Sequence, residues 1–273
     1  MGVPKNIFFF WGNEKMSWMR YMTIKSFVQL NPDWKVRLFF APQYRDNKPW
    51  GSDEGQDFFV YSGADYFSRL NDLNIDIIKW VIPDELQALV DLHRMGPSHL
   101  SNYFKWYILA GEGGIYSDLD ILFIKPIDKF YDEIRDCQTA ICHRDWMSIG
   151  LLGSSGDNSF FRDLYNHTIN NFNPEHYQTV GVMGIYSLFG CSQEDSFDRL
   201  SQKYEGVCNF PYSYFYPYSC HEVESIFAPE TIINDDAIGL HWFGGHTMSQ
   251  HYNNLLTEDN YREYDTLFTR LIK

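Results

Sequence analysis

Long apolar runs, excess positive charge and closely spaced cysteines are all missing from this 273-residue chain. No apolar stretch approaches the roughly 20 residues that a helix needs to cross a bilayer, so no transmembrane segment is expected. Basic residues number 22 against 36 acidic ones, a formal net charge of −14. A chain so acidic lacks the basic footprint that nucleic-acid phosphates require, and it offers no basic face to an anionic membrane. The five cysteines, Cys137, Cys142, Cys191, Cys208 and Cys220, are odd in number and widely spaced, with no CxxC. That disfavours zinc, and buried reduced thiols in a cytoplasmic protein are expected. The apolar NIFFFW stretch is too short and too early for a secretory leader. Asn6 also stands where a myristoylation signal needs Ser or Thr. Repeats, low-complexity tracts and linkers are absent, so one domain over 1–273 is expected.

What is present alternates between strand and helix patterns. Residues 6–11 form a continuous apolar run between Pro4-Lys5 and Gly12-Asn13, as in a strand buried on both faces. Helical spacing over 17–30 ends before Asn31-Pro32, and 35–40 reads as a second strand. Strand, helix, strand is a βαβ unit with a right-handed crossover. Residues 41–63 read as a long loop, 64–73 as helix, 75–80 as strand and 83–95 as helix. Gly96-Pro97 then breaks the chain, with Ser98 the expected cap of the next helix. Further on, 138–143 and 147–153 read as strands, 153–157 as a turn, 158–170 and 179–189 as helices. Residues 210–220 form a Tyr- and Pro-dense loop, 238–243 the last strand and 258–272 a charged surface helix.

The chain is organised around residues 101–128, SNYFKWYILAGEGGIYSDLDILFIKPID. An aromatic helix pattern breaks at Gly111-Glu112-Gly113-Gly114, turns extended through Ile115 and Tyr116, and presents Asp118 and Asp120. In an extended segment residues i and i+2 point the same way, so both carboxylates are expected to close on one hard divalent cation. Asn102 and Lys105 share a helix face, which in most helices would be a solvated face.

This block resembles the sugar-nucleotide-binding region of retaining glycosyltransferases of the GT-A fold. The resemblance points to the family of yeast initiating mannosyltransferases, α-1,4-galactosyltransferases and bacterial capsule transferases, with the clostridial glucosylating toxins as distant relatives. The matching residues are Ser101, Gly113, Gly114, Tyr116, Asp118, Asp120, Lys125 and Pro126, with Pro4, Lys5, Ile7, Trp11 and Gly12 at the start of the chain. Asn102 and Lys105 depart from it, standing where the family has Asp and Arg. The resemblance implies an α/β, Rossmann-like GT-A fold with a mostly parallel central sheet flanked by helices. It further implies Mn2+ or Mg2+ on Asp118 and Asp120, with His241 as a third contact and His246 a weaker candidate. A nucleotide-sugar donor would lie against Trp11, Asn102, Lys105, Tyr116 and the Asp pair, with a glycan or glycolipid as acceptor.

Two roles stay open at this stage. Trp11, at the carboxyl end of its strand, is placed to stack a nucleobase, or else it is a core Trp. Retention of configuration is compatible with a carboxylate nucleophile or with same-face attack using the departing phosphate as base, and no catalytic base is assigned. A phosphatase built on Asp-x-Asp is disfavoured, because Ser117 and Leu122 do not suit that motif. The alternative is a non-catalytic sugar-nucleotide or glycan-binding protein.

Overall fold

The computed structural model describes residues 2–12, 15–41, 50–51, 57–58, 61–93 and 95–272. Its strands are β1 (Asn6–Trp11), β2 (Lys35–Phe40), β3 (Trp50–Gly51), β4 (Asp57–Phe58), β5 (Asp76–Lys79), β6 (Gly113–Ser117), β7 (Ile121–Phe123), β8 (Thr139–His143), β9 (Met147–Ser155), β10 (Val207–Asn209) and β11 (Gly239–His241). Its helices are α1 (Trp18–Leu30), α2 (Asp84–His93), α3 (Pro97–Gly111), α4 (Asp128–Ile134), α5 (Ser159–Asn170), α6 (Val182–Phe189), α7 (Ser196–Lys203), α8 (Val223–Ile226), α9 (Thr247–Leu255) and α10 (Leu267–Ile272). Seven strands form one sheet in the order β10-β8-β9-β6-β1-β2-β5. β5, β2, β1 and β6 run parallel, as do β10 and β8, while β9 is antiparallel to both its neighbours. The mixed sheet flanked by helices is the architecture expected of the GT-A class.

Alternation along β1 builds the core. Ile7 and Phe9 face one apolar cluster with Trp18, Phe27 and Leu38, while Phe8 and Phe10 face the other with Phe104 and Trp106. Helices therefore cover both faces, as a buried parallel sheet requires. The Gly113-Gly114 pair lets β6 squeeze between β1 and β9. A Cβ at Gly114, whose φ is +146°, would lie 2.7 Å from the Asn6 carbonyl oxygen, and one at Gly113 would lie 2.8 Å from that of Ser155.

Several local expectations need correction. The cap of α3 is Gly96 rather than Ser98: Pro97 opens the helix, and Gly96 donates its N–H to His99 Nδ1 at 3.2 Å. Residues 153–155 continue β9, and the turn narrows to Gly156 and Asp157, both at positive φ. The 64–73 segment contains a 3-10 helix, Phe67–Asp72, and 179–189 begins as the 3-10 turn Tyr177–Thr179 before α6. Most of the 41–63 loop lies outside the described residues.

The expected surface helix over 258–272 is instead the 3-10 turn Tyr261–Glu263 and the short α10. Leu267 and Phe268 are buried, the latter against Trp18 and Trp242, so hydrophobic burial overrides the charged pattern. Nor are all the thiols reduced. Cys137 and Cys208 form a disulfide with Cα atoms 6.0 Å apart, tying β10 to the segment before β8. The cytoplasmic expectation rested on reduced thiols, a premise the disulfide removes. Cys142 and Cys191 are free. Among the described residues no helix is long and apolar enough to cross a membrane.

Candidate functional site

Because β1 and β6 are parallel neighbours, Trp11 and Asp118 emerge at the same end of the sheet, where ligands of open α/β folds lie. A cavity of about 1060 Å³ opens there, lined by Trp11, Asn102, Lys105, Tyr116, Asp118, Asp120, His241 and His246 among others. Every site residue read from the sequence is thus brought to one place. The carboxylates do not sit on an extended strand, however. Asp118 follows β6, and Leu119 and Asp120 form the turn into β7, so each carboxylate acquires its own set of partners.

Asp118 is held from the sheet and from α3. Its N–H donates to the Gly150 carbonyl at 2.7 Å. Tyr116 donates its hydroxyl to Oδ1 at 3.0 Å, and the Ser101 hydroxyl lies 2.9 Å from that phenol. Lys105 Nζ stands 3.4 Å from each carboxylate oxygen and donates to the Ile149 carbonyl at 2.8 Å. Lys105 is 1% exposed and Asn102 9%, so this helix face is a buried wall and not a solvated surface. Burial lowers the Lys105 pKa, opposed by the Asp118 charge. Burial raises that of Asp118, opposed by Lys105 and reinforced by Asp120.

Asp120 has the opposite electrostatic fate. His241 Nε2 lies 3.1 Å from Oδ1, and Gly244 donates its N–H to Oδ2 at 2.7 Å. Burial alone would raise its pKa, but His241, the Arg20 charge and the Gly244 amide hold the carboxyl well below the ordinary range. β11 places His241 by pairing it antiparallel to Ile121, directly beside the Asp pair. His246, the weaker candidate, caps α9 by accepting the Met248 N–H at 3.2 Å.

Trp11 is half-buried at the cavity edge, with the Arg20 guanidinium 5.1 Å from its ring centre. The 210–220 loop is divided between core and site: Phe210, Tyr214 and Phe215 are buried, while Tyr212, Tyr216 and Cys220 line the cavity. Arg20, the Ile149 carbonyl and the Gly244 amide were not singled out from the sequence. Only Gly244-Gly245 after a strand carried any signal, and a Cβ at Gly244 would stand 3.3 Å from Asp120 Oδ2.

The donor atoms suit a hard divalent cation. Each carboxylate has about four lone-pair positions, and those of Asp118 and Asp120 are only partly taken. The buried Nδ1 of His241 has no partner. Among the described residues no three His, Cys, Asp or Glu side chains form a ready-made cage. Two carboxylates completed by substrate oxygens is the usual arrangement for Mg2+ in phosphate-binding sites.

Comparison with known proteins agrees with this geometry. Residues 17–138 match the family described as glycosyltransferase sugar-binding region containing DXD motif. No curated protein matches the chain significantly. Similar solved structures include the PaToxG glycosyltransferase, 14% identical over 74% of this chain and 76% of that one, with a TM-score of 0.47. The galactosyltransferase LgtC, in complex with donor and acceptor sugar analogs, is 12% identical over 94% of this chain and 99% of its own, TM-score 0.44. GlyE of Streptococcus pneumoniae TIGR4 is 10% identical over 88% of this chain and 55% of its own, TM-score 0.45. At these scores the structural likenesses are coarse, and it is the sequence match over the Asp pair that is specific. Residues 17–138, a little under half of the chain, thus match a glycosyltransferase sugar-binding region, and the DXD motif that names it is present here as Asp118-Leu119-Asp120.

Proposed function

We propose that this protein transfers a hexosyl or N-acetylhexosaminyl group from a nucleoside-diphosphate donor, a UDP-sugar rather than a GDP-sugar, to a glycan or other hydroxyl acceptor with retention of configuration. The observation that carries the reading is the convergence of Asp118, Asp120 and His241 in one cavity with Trp11 and Lys105. Asp118, Asp120 and His241 would hold Mn2+ or Mg2+, which supplies Lewis-acid stabilisation of the charge that develops on the diphosphate. Lys105 opposes the burial that raises the Asp118 pKa, while His241, Arg20 and the Gly244 amide hold Asp120 ionised; both carboxylates are thus fixed in place, so little reorganisation accompanies the reaction. Trp11 offers a ring face to the nucleobase, and Asn102 and Tyr116 lie on the side of the sugar and ribose.

Asp120→Ala tests the site. The variant is expected to keep its circular dichroism spectrum and lose manganese-dependent UDP binding by calorimetry. Unchanged affinity for UDP in the presence of manganese would remove the basis for the assignment.

A further inference from the structure

A chain of ring contacts leads away from the Asp pair, edge-on from His241 to Tyr216 and stacked from Tyr216 to Tyr212. His241, in contact with Asp120, packs its ring 5.3 Å from that of Tyr216. Tyr216 stacks on Tyr212 at 5.1 Å with 28° between the planes. The Arg144 guanidinium covers Tyr212 at 4.5 Å and reaches toward Trp146, 5.9 Å from its ring. Arg144 and Trp146 form the tip of the β8–β9 hairpin, and Trp146 lines the main cavity. On the outer side of Tyr212 and Tyr216 lies a second cavity of about 580 Å³, also lined by Arg144.

Sheet order gives these contacts their meaning. The strands run β8-β9-β6-β1, so β6, which delivers Asp118, lies between the strand of Trp11 and the hairpin of Trp146. Neighbouring strands are about 4.8 Å apart, and the Trp146 hairpin therefore stands on the far side of the carboxylates from the nucleobase end. A donor spanning Trp11 to the Asp pair leaves its anomeric carbon facing the hairpin. Sugars present apolar C–H faces and polar edges, which suits half-exposed aromatic rings that carry a polar partner. Arg144 is already engaged by Asp145 at 2.8 Å, so the strip favours a neutral ring over an anionic one.

We infer that Trp146 and Tyr212, held by Arg144, form the acceptor subsite, and that the acceptor is a neutral saccharide stacking on Trp146. This rests on the donor reading above. The acceptor hydroxyl oxygen bonds to the anomeric carbon as the bond to the diphosphate breaks, and the hydroxyl proton leaves with the departing nucleoside diphosphate.

The test uses an array of neutral and anionic mono- and oligosaccharides as probes, with UDP-sugars and manganese. The wild type is expected to glycosylate a neutral sugar. Trp146→Ala should raise the KM for that sugar about tenfold, a loss of about 1.4 kcal/mol, with the donor KM moving less than twofold and Trp146→Phe recovering most of the loss. If Trp146→Ala does not fold, Tyr212→Leu carries the same expectation. An unchanged acceptor KM in a folded variant, or transfer only to anionic sugars, overturns the subsite. Donor hydrolysis with no saccharide glycosylated overturns it while sparing the donor reading. No donor hydrolysis at all overturns both.

Discussion

Lys105 Nζ stands equidistant from the two oxygens of Asp118, 3.4 Å from each, while donating to the Ile149 carbonyl. The ammonium is buried and the carboxylate is 29% exposed. Removing one member of a buried ion pair costs about 3–5 kcal/mol, and replacing both can be neutral. With Asp118 partly in contact with solvent, Lys105→Met is expected to cost about 2–3 kcal/mol. The double change with Asp118→Asn should recover most of it. Urea denaturation of both singles and the double measures the coupling. Additive effects would show that the two groups do not depend on each other.

Trp11 is expected to matter more for ligand than for fold. It is only half-buried, and Arg20 lies over its ring. Stacking on a base is worth about 1–3 kcal/mol, so Trp11→Ala should weaken UDP binding about tenfold or more. Recovery of unfolded protein only would instead mark Trp11 as a core residue.

The disulfide joins residues 71 apart in sequence. Closing a loop of that length stabilises by about 4 kcal/mol on the chain-entropy estimate, and measured values are more often 2–4 kcal/mol. Replacing Cys137 and Cys208 together by Ser should lower stability by about that amount. Reductant should destabilise the wild type and leave the variant unaffected, as thermal melts can show. Identical melts with and without reductant would mean that the bond does not form.

Alkaline pH should unfold the protein cooperatively. Burial raises the pKa of Tyr103, Tyr116, Tyr165, Tyr204 and Tyr216, and pushes Tyr212 up to about 12. In the unfolded chain these phenols ionise near pH 10. Above about pH 10 the unfolded state therefore binds fewer protons, and stability falls as pH rises. Below about pH 10 this contribution is fully present. The part of the phenolate absorbance that belongs to these six rings should rise in one step together with loss of ellipticity. Complete ionisation of all nineteen tyrosines with the fold intact would contradict the burial of these rings.

Local pattern carried a large part of this. The runs 6–11 and 35–40 emerge with the bounds read from the sequence: β1 is apolar and buried from Ile7 to Phe10, as a strand covered on both faces must be, and β2, though it carries Lys35 and Arg37, buries Val36, Leu38 and Phe39 beside it. Asp118 and Asp120 were legible as a pair, since glycines, a short strand and a following apolar run bracket them. His241 was legible only through resemblance.

The remainder depended on long-range packing. The sequence by itself determined the Asp pair, and its resemblance to a known family singled out Trp11, Asn102, Lys105, Tyr116 and His241, which line the same cavity. Tertiary structure decided what each does there. The turn at 118–120 sends one carboxylate to Lys105 and the other to His241 and the Gly244 amide, partners separated by as many as 124 residues. Backbone amides and carbonyls are the same in every residue, so no pattern of side chains announces which of them will point into a cavity. The pairing of Cys137 with Cys208 and the burial of Leu267 and Phe268 belong to the same class. Each is settled by which surfaces meet when the sheet closes, and the hydrophobic effect that brings them together is non-directional and blind to sequence distance.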